Sequence, residues 1–412
     1  MPYFAGLSLA VLILARYEPT PLHALMAALP GFERIHARSP ERALLVFYIG
    51  PALLAGASLT WLQLRLSSAS SLRRLVGVVA IAALAVELQI AWRAQRAESL
   101  AGGGDYQFQQ VDLAAYFAPT SATRFLQAHA QSDLFRYFGY AQHFSGVPIP
   151  YTLRWADPSI TALEVNNRAT IDGLDDIQGY NPIHVERYDE YVAALNGHAQ
   201  NYHQTDVFDS GLASPLVDLL NVRYILVPAV LPSDQLAPRF RRPLTTVYQD
   251  ENVRVLDNPT ALPRAWLVHS AEQAPPRQAL QALTGGAVDP RQVALLEEPP
   301  PPLGAPNGSP GDDVAITGYQ PGRVAARTVS TTAGLLVLSD VYYPAWHAYV
   351  DGQAAHLFAV DDALQGVAVP AGVHRVEVRY ESAALSAGLV VSLAAAATLV
   401  GLALYTRFRQ TH

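Results

Sequence analysis

Residues 387–406 read AGLVVSLAAAATLVGLALYT, an uncharged apolar run that is followed by Arg407 and Arg409. Twenty residues in a helix rise about 30 Å, which matches the hydrocarbon thickness of a bilayer. The run therefore predicts a transmembrane helix, and every polar segment before it must be assigned to one side of a membrane.

Three further apolar stretches occupy residues 3–16, 43–64 and 75–92. The first is short and has neither a basic region before it nor a small-residue cleavage site, so it predicts a membrane helix or the end of one rather than a signal peptide. Together with residues 387–406, these stretches predict a polytopic α-helical membrane protein in which residues 1–92 form a membrane region.

Arginine placement predicts the orientation of these helices. Arg65, Arg73 and Arg74 lie between the second and third stretches, and Arg407 and Arg409 follow the last one. Positive residues favour the cytoplasmic side. The loop 18–42 and the long region that begins at residue 93 are then exoplasmic. We expect a multi-pass protein of the bacterial cytoplasmic membrane, since the lysine-free, alanine- and arginine-rich composition is typical of GC-rich bacterial genomes.

Composition excludes several classes of function. The net charge of −7 leaves no basic footprint for nucleic acid. The absence of cysteine excludes disulfides, thiolate catalysis and cysteine-ligated metals. All 28 basic residues are arginine, so a phosphate-binding-loop lysine and a Schiff-base lysine are excluded as well. No cofactor is predicted, and no motif indicates a divalent metal.

The region outside the membrane divides at the Pro- and Gly-rich segment 299–313, PPPPLGAPNGSPGDD, which predicts a linker. Residues 93–298 mix short β-branched runs with helical patterns and predict an α/β domain. Residues 314–382 contain six short strand-like segments, and Asp351-Gly352 is a type I′ hairpin signal. These segments predict a C-terminal antiparallel β-sandwich that leads directly into the last helix.

Several motifs resemble the C-terminal signature of the bacterial YfhO family. They are LVLSDVYYPAWHAYVDG at 336–352, VPAGVHRVEVRY at 369–380, GYNP at 179–182, LNVRYIL at 220–226, DNPTALPRAWL at 257–267 and LPGFERIHARSPER at 29–42. The chain departs from the family at Ala345, where glycine is usual.

The resemblance implies a polytopic glycosyltransferase of the GT-C type, which moves a sugar from a polyprenyl-phosphate carrier to an acceptor outside the membrane. It implies a role in cell-envelope glycan or teichoic-acid modification, with the sugar donor, the glycan acceptor and membrane lipid as partners. The resemblance covers the family's C-terminal portion, so the catalytic acid of the family's N-terminal loop is expected on a missing N-terminal half. A non-catalytic envelope scaffold or carbohydrate-binding module is the alternative.

Arg34, Arg38 and Arg42 are candidate ligands for the lipid phosphate, because arginine binds phosphate through two parallel hydrogen bonds. The alternative is ordinary contact between interfacial arginines and lipid headgroups.

Tyr343 and Trp346 are candidate sugar-stacking residues, with packing in the core or a hairpin as the alternative. Asp176 is a candidate contact to the sugar or acceptor because it directly precedes the GYNP motif. The pair Asp361-Asp362 is expected in a solvated turn. No catalytic residue and no metal ligand is predicted.

Overall fold

The computed structural model describes residues 2–16, 20–28, 32, 47–65, 70–100, 114, 117–141, 157–165, 167–181, 184–200, 204–304 and 311–410. The chain forms two compact units, Met1–Phe108 and Gln109–His412.

The first unit is helical. Its described helices are α1 (Pro2–Leu14), α2 (Pro21–Met26), α3 (Ile49–Arg65) and α4 (Ser70–Leu100). Helices α1 and α3 approach closely at Gly50, where an added Cβ would lie 1.8 Å from Ser8 Oγ. Thr20 caps the N-terminus of α2, and its backbone N–H donates to His23 Nδ1 at 3.1 Å.

The prediction of a polytopic membrane protein is wrong. Among the described residues, two segments are long and apolar enough to cross a membrane, Arg74–Arg93 in α4 and Ala383–Leu402 near the C-terminus. Helix α1 has 13 residues and α3 has 17, so each rises less than about 26 Å and falls short of the hydrocarbon core. The remainder is an α/β fold with curled sheets, and a multi-pass location is not supported.

The second unit carries the sheets. Its first strands are β1 (Arg136–Gly139), β2 (Gly179–Tyr180), β3 (Gln204–Thr205), β4 (Val222–Pro228), β5 (Thr245–Gln249), β6 (Val253–Asp257), β7 (Ala265–Val268), β8 (Ser270–Gln273) and β9 (Val293–Leu296). The later strands are β10 (Asp313–Gln320), β11 (Arg323–Ser330), β12 (Gly334–Leu338), β13 (Trp346–Val350), β14 (Gln353–Ala355), β15 (Leu357–Val360), β16 (Leu364–Val369) and β17 (Gly372–Tyr380). The helices are α5 (Ser121–Ala130), α6 (Pro158–Thr161), α7 (Ala169–Asp172), α8 (Glu186–Asn196), α9 (Leu216–Leu219), α10 (Ser233–Phe240), α11 (Pro276–Thr284) and α12 (Ala383–Gln410).

The first sheet has the order β1-β4-β6-β5, with β1 parallel to β4 and the other pairs antiparallel. Strand β4 is apolar on both faces, as expected for a central strand. Ile225 and Val227 pack into one hydrophobic cluster, whereas Tyr224 and Leu226 pack into another on the opposite face.

Two further sheets pack face to face as a sandwich. One has the order β10-β11-β17-β13-β14, and the other has the order β7-β12-β16-β15-β9-β8. Their shared core includes Val324 and Val376 from the first sheet and Leu336 and Val367 from the second.

The sandwich crosses the boundary predicted at 299–313. Strand β12 pairs with β7, and β15 pairs with β9, so residues on both sides of that segment share one sheet. Strands β8 and β9, which precede that segment, are parallel, whereas the described strand pairs within 314–382 are antiparallel. The apolar strands β7 and β9 complete a buried sheet that the later strands cannot form alone.

Of two turns predicted in the sandwich, one is confirmed by the structure and the other is wrong. The hairpin at Asp351-Gly352 is confirmed, because both residues have positive φ angles (51° and 81°) and Val350 pairs with Gln353. The solvated turn expected at Asp361-Asp362 is wrong, since these residues are 0% and 2% exposed. Asp361 Oδ1 instead accepts a hydrogen bond from Leu295 N at 3.0 Å, which draws the turn into the core.

Candidate functional site

A cleft of about 360 Å³ lies in the second unit, where the β1 end of the first sheet meets the sandwich. This size falls within the range of roughly 300–1,000 Å³ that is typical of small-molecule pockets. Its wall combines polar side chains with apolar ones. The lining residues are Arg136, Asp176, Ile177, Gln178, Gly179, Asn181, His184, Val185, Tyr188, Thr205, Leu220, Ser339, Val341 and Leu364.

Backbone pairing places Asp176 in this wall. Tyr137 in β1 donates its N–H to Asp175 O at 3.0 Å and accepts from Ile177 N at 3.1 Å, so the segment around Asp176 runs beside the strand. Asp176 Oδ1 accepts a hydrogen bond from Gln178 N at 2.9 Å, which turns the chain immediately before GYNP. One carboxyl oxygen is therefore used to shape the loop.

Most other polar groups of the cleft are engaged within the protein. Gln178 donates to Gly139 O at 2.9 Å and accepts from Val207 N at 2.9 Å. Tyr188 donates its hydroxyl hydrogen to Ile177 O at 2.6 Å. These groups shape and support the wall of the cleft.

Two buried atoms in this wall have no hydrogen-bond partner among the described residues, Asp176 Oδ2 and His184 Nε2. The other ring nitrogen, His184 Nδ1, lies 2.8 Å from Asp189 Oδ1. The carboxylate of Asp189 favours the tautomer with hydrogen on Nδ1, which leaves Nε2 as an acceptor. Because both atoms belong to residues that line one cleft, this cleft is the candidate ligand site.

The electrostatic environment determines the role of Asp176. Burial raises the pKa of its carboxyl well above the usual range, and the charge of Asp206 raises it further. Burial also raises the pKa of Asp206, to about 6. Both effects favour the protonated form of the Asp176 carboxyl, in which Oδ2 can donate a hydrogen bond.

An arginine network fixes the two sides of the cleft. Arg136 Nη2 donates to Asp340 Oδ1 at 2.7 Å, and Arg136 Nη1 donates to Leu220 O at 3.1 Å. Arg264 Nη2 donates to Asp175 Oδ2 at 2.6 Å, directly beside Asp176 in the chain. Since Asp340 follows β12 and Arg136 begins β1, these bonds connect the sandwich to the first sheet.

The predicted contact residues do not form one site. Asp176 lines the cleft, whereas Tyr343 and Trp346 lie with Tyr380 at one end of the five-stranded sheet. The ring centroids of Tyr343 and Tyr380 are 6.4 Å apart, and those of Trp346 and Tyr380 are 5.5 Å apart. Residues Arg34, Arg38 and Arg42 lie outside the described residues, so their phosphate-binding role stays a prediction.

The sequence interpretation missed His184 and Asp189. His184 follows the GYNP motif by two positions, which was the one local signal available. Its spacing to Asp189 matches no metal motif, and the described residues contain no group of three or more side chains suited to a metal ion.

No protein-family model, curated protein or solved structure matches this chain. The function of the cleft must therefore be inferred from its own chemistry.

Proposed function

We propose that the chain is the membrane-anchored, glycan-binding part of a bacterial cell-envelope glycosyltransferase. The observation that carries this proposal is the pair of buried atoms without partners, Asp176 Oδ2 and His184 Nε2, in one cleft.

A neutral ligand rich in hydroxyl groups fits this pair. A hydroxyl group both donates and accepts, so it can accept from the protonated Asp176 and donate to His184 Nε2. Ile177, Val185 and Leu364 provide apolar surface in the same wall for the C–H face of a sugar ring. An anionic ligand would gain little binding energy from Arg136, because this side chain already donates to Asp340 and to backbone carbonyls.

The environment of Asp176 disfavours its carboxyl as a general base. A general base must be ionised near the working pH, and burial opposes ionisation of Asp176. The transfer step is therefore assigned to a catalytic domain of the same membrane enzyme, as the resemblance to the YfhO family implies.

Membrane placement follows from α4 and α12. If both helices cross the bilayer, the residues between them lie on one side. Arg65, Arg73 and Arg74 lie before or at the start of the span in α4, against Arg93 and Arg96 at its other end. Arg407 and Arg409 follow the span in α12, so the excess of arginine favours the cytoplasm for both outer ends. The cleft is then exoplasmic, where envelope glycans are assembled. In this proposal the donor is a polyprenyl-phosphate sugar. Arg34, Arg38 and Arg42 precede α4 and would lie on the cytoplasmic side, so they are not assigned to its phosphate.

Sugar binding by the full chain in lipid nanodiscs tests the proposal. Saturation-transfer NMR would be recorded with glucose, galactose, N-acetylglucosamine and their β-linked disaccharides. Asp176→Ala should weaken binding about two- to tenfold, because one hydrogen bond contributes roughly 0.5–1.5 kcal/mol. Asp176→Asn should bind within about twofold of wild type, because its amide replaces the donor on Oδ2 and keeps the Oδ1 acceptor. Asp234→Ala, at an exposed position in α10, is the control.

The two aspartate variants separate the possible outcomes. Equal loss in Asp176→Asn and Asp176→Ala would show that an ionised carboxylate binds the ligand, and would refute the neutral-ligand argument. Failure of every sugar to bind the wild-type chain would overturn the glycan-binding proposal itself.

A further inference from the structure

The connection between the sandwich and α12 is only two residues long. Strand β17 ends at Tyr380, and Glu381 N donates to Ala345 O at 2.7 Å. Helix α12 begins at Ala383, and Leu385 N donates to Ser382 Oγ at 3.2 Å. The chain is thus hydrogen-bonded up to Glu381 and again from Ser382, so this end of the sandwich is held at the start of the apolar helix.

Aromatic side chains are concentrated at that same end. Tyr380 is paired with Trp346 across β17 and β13, and the ring of Tyr343 stacks on that of Tyr380. Tyr343 is 45% exposed and Tyr380 is 42% exposed, so their rings face outward from the fold. Tyrosine and tryptophan favour the interface between hydrocarbon and water, where a ring and a polar group are both accommodated.

A cluster of arginines lies next to these rings. Arg323, Arg375 and Arg379 all form ion pairs with the single carboxylate of Glu377. These three arginines and Glu377 sum to a net charge of +2, which the neighbouring carboxylate of Glu381 lowers to +1. The side chains of Arg323 and Arg379 are 49% and 40% exposed. Arg323 and Arg379 are paired in register, one position before Tyr380, so their long side chains can reach the lipid headgroups.

We propose that this end of the sandwich is seated on the bilayer surface. Tyr343, Trp346 and Tyr380 lie at headgroup depth, and Arg323 and Arg379 pair with anionic lipid headgroups. We call this group of five residues the seat. Its contact with the lipid would fix the orientation of the sandwich relative to the membrane, so that the sandwich does not rotate freely about the start of α12. It rests on the proposed crossing of the membrane by α12, but it is independent of the cleft and its ligand.

Single nitroxide labels test the seat, since the chain has no cysteine of its own. The full chain would carry one label each at Pro344→Cys, Ala371→Cys or Leu393→Cys, in nanodiscs of phosphatidylcholine with about 30% phosphatidylglycerol. Pro344 lies at the proposed seat, and Ala371 precedes the opposite end of β17, about 25 Å away. Leu393 lies within the apolar span of α12. Collision with oxygen and with a water-soluble nickel complex reports the depth of each label.

The label at Leu393 should be in hydrocarbon, that at Pro344 at headgroup depth and that at Ala371 in water. Arg323→Gln combined with Arg379→Gln should raise the nickel accessibility at Pro344 several-fold, since each arginine near an anionic surface changes the binding equilibrium about fivefold. Arg327→Gln is the matched control, because its side chain is also 49% exposed but lies farther along β11.

The outcomes distinguish this proposal from the membrane anchor. If the Leu393 label lies in hydrocarbon while the Pro344 label is as accessible to nickel as the Ala371 label, the seat is refuted and the anchor stands. If the Leu393 label is itself in water, the crossing by α12 fails and the seat fails with it. An equal effect of Arg327→Gln and the double variant would refute the specific role of the arginines at the seat.

Discussion

Replacing Asp361 with asparagine is expected to stabilise the second unit at neutral and alkaline pH. Asp361 is 0% exposed, and its Oδ2 has no hydrogen-bond partner among the described residues. Burial raises the pKa of its carboxyl to about 7, from an ordinary value of 3.8. Asparagine keeps the Oδ1 acceptor for Leu295 N, carries no charge and tolerates the positive φ of 50° at this position.

The magnitude follows from proton linkage. Below pH 4 the carboxyl is protonated in both the folded and the unfolded chain, so it has little effect on stability. Between pH 4 and 7 the unfolded chain loses the proton first, and the free energy of unfolding falls as the pH rises. Above pH 7 the loss is complete. The difference between 3.8 and about 7 corresponds to about 4 kcal/mol at 1.36 kcal/mol per pKa unit.

Urea unfolding of the full chain in detergent, followed by near-ultraviolet circular dichroism from pH 4 to 8, measures this effect. The gain of Asp361→Asn over wild type should rise from under about 1 kcal/mol at pH 4 to about 4 kcal/mol at pH 8. The same substitution at exposed Asp234 should leave the pH dependence unchanged. Parallel curves for Asp361→Asn and wild type across this range would refute the argument that Asp361 is buried with a raised pKa.

Three further substitutions have defined expectations. Gly366→Ala should lower the free energy of unfolding by about 1–3 kcal/mol, because the new Cβ would lie 2.4 Å from Val360 Cγ2. Urea unfolding measures this change, and an unchanged midpoint would contradict it. Asp340→Ala should cost about 1–3 kcal/mol, because it removes the carboxylate that accepts from Arg136 at 2.7 Å and lies 3.9 Å from buried Arg264. Thermal unfolding against Asp340→Asn, which keeps the hydrogen-bond acceptor, tests this. Leu393→Arg should disfavour membrane insertion by about 3 kcal/mol, and carbonate extraction of membranes should then release more of the chain than it does for Leu393→Ala.

The sequence predicted correctly those elements whose formation depends only on residues close together in the chain. The apolar run at 387–406 predicted a helix, and it lies within α12. Such a helix can be predicted locally because its length and composition are properties of consecutive residues. The Asp351-Gly352 turn could be predicted because a type I′ turn requires two successive residues with positive φ angles, and Asp-Gly is one of the few pairs that adopt them readily. The same approach wrongly assigned membrane spans to α1 and α3, which have 13 and 17 residues.

Only the tertiary structure decided which polar groups are buried and which strands share a sheet. Asp361 is buried because it bonds to Leu295, 66 residues earlier in the chain, and no local pattern contains that contact. The pairing of β7 with β12 across the Pro-rich segment is equally remote in sequence. The cleft depends on such contacts throughout, because Arg136, Asp176, His184 and Ser339 come from four separate segments. Local residue patterns thus specify the apolar helix and the Asp351-Gly352 turn, whereas long-range packing creates the candidate site and raises the pKa of Asp176.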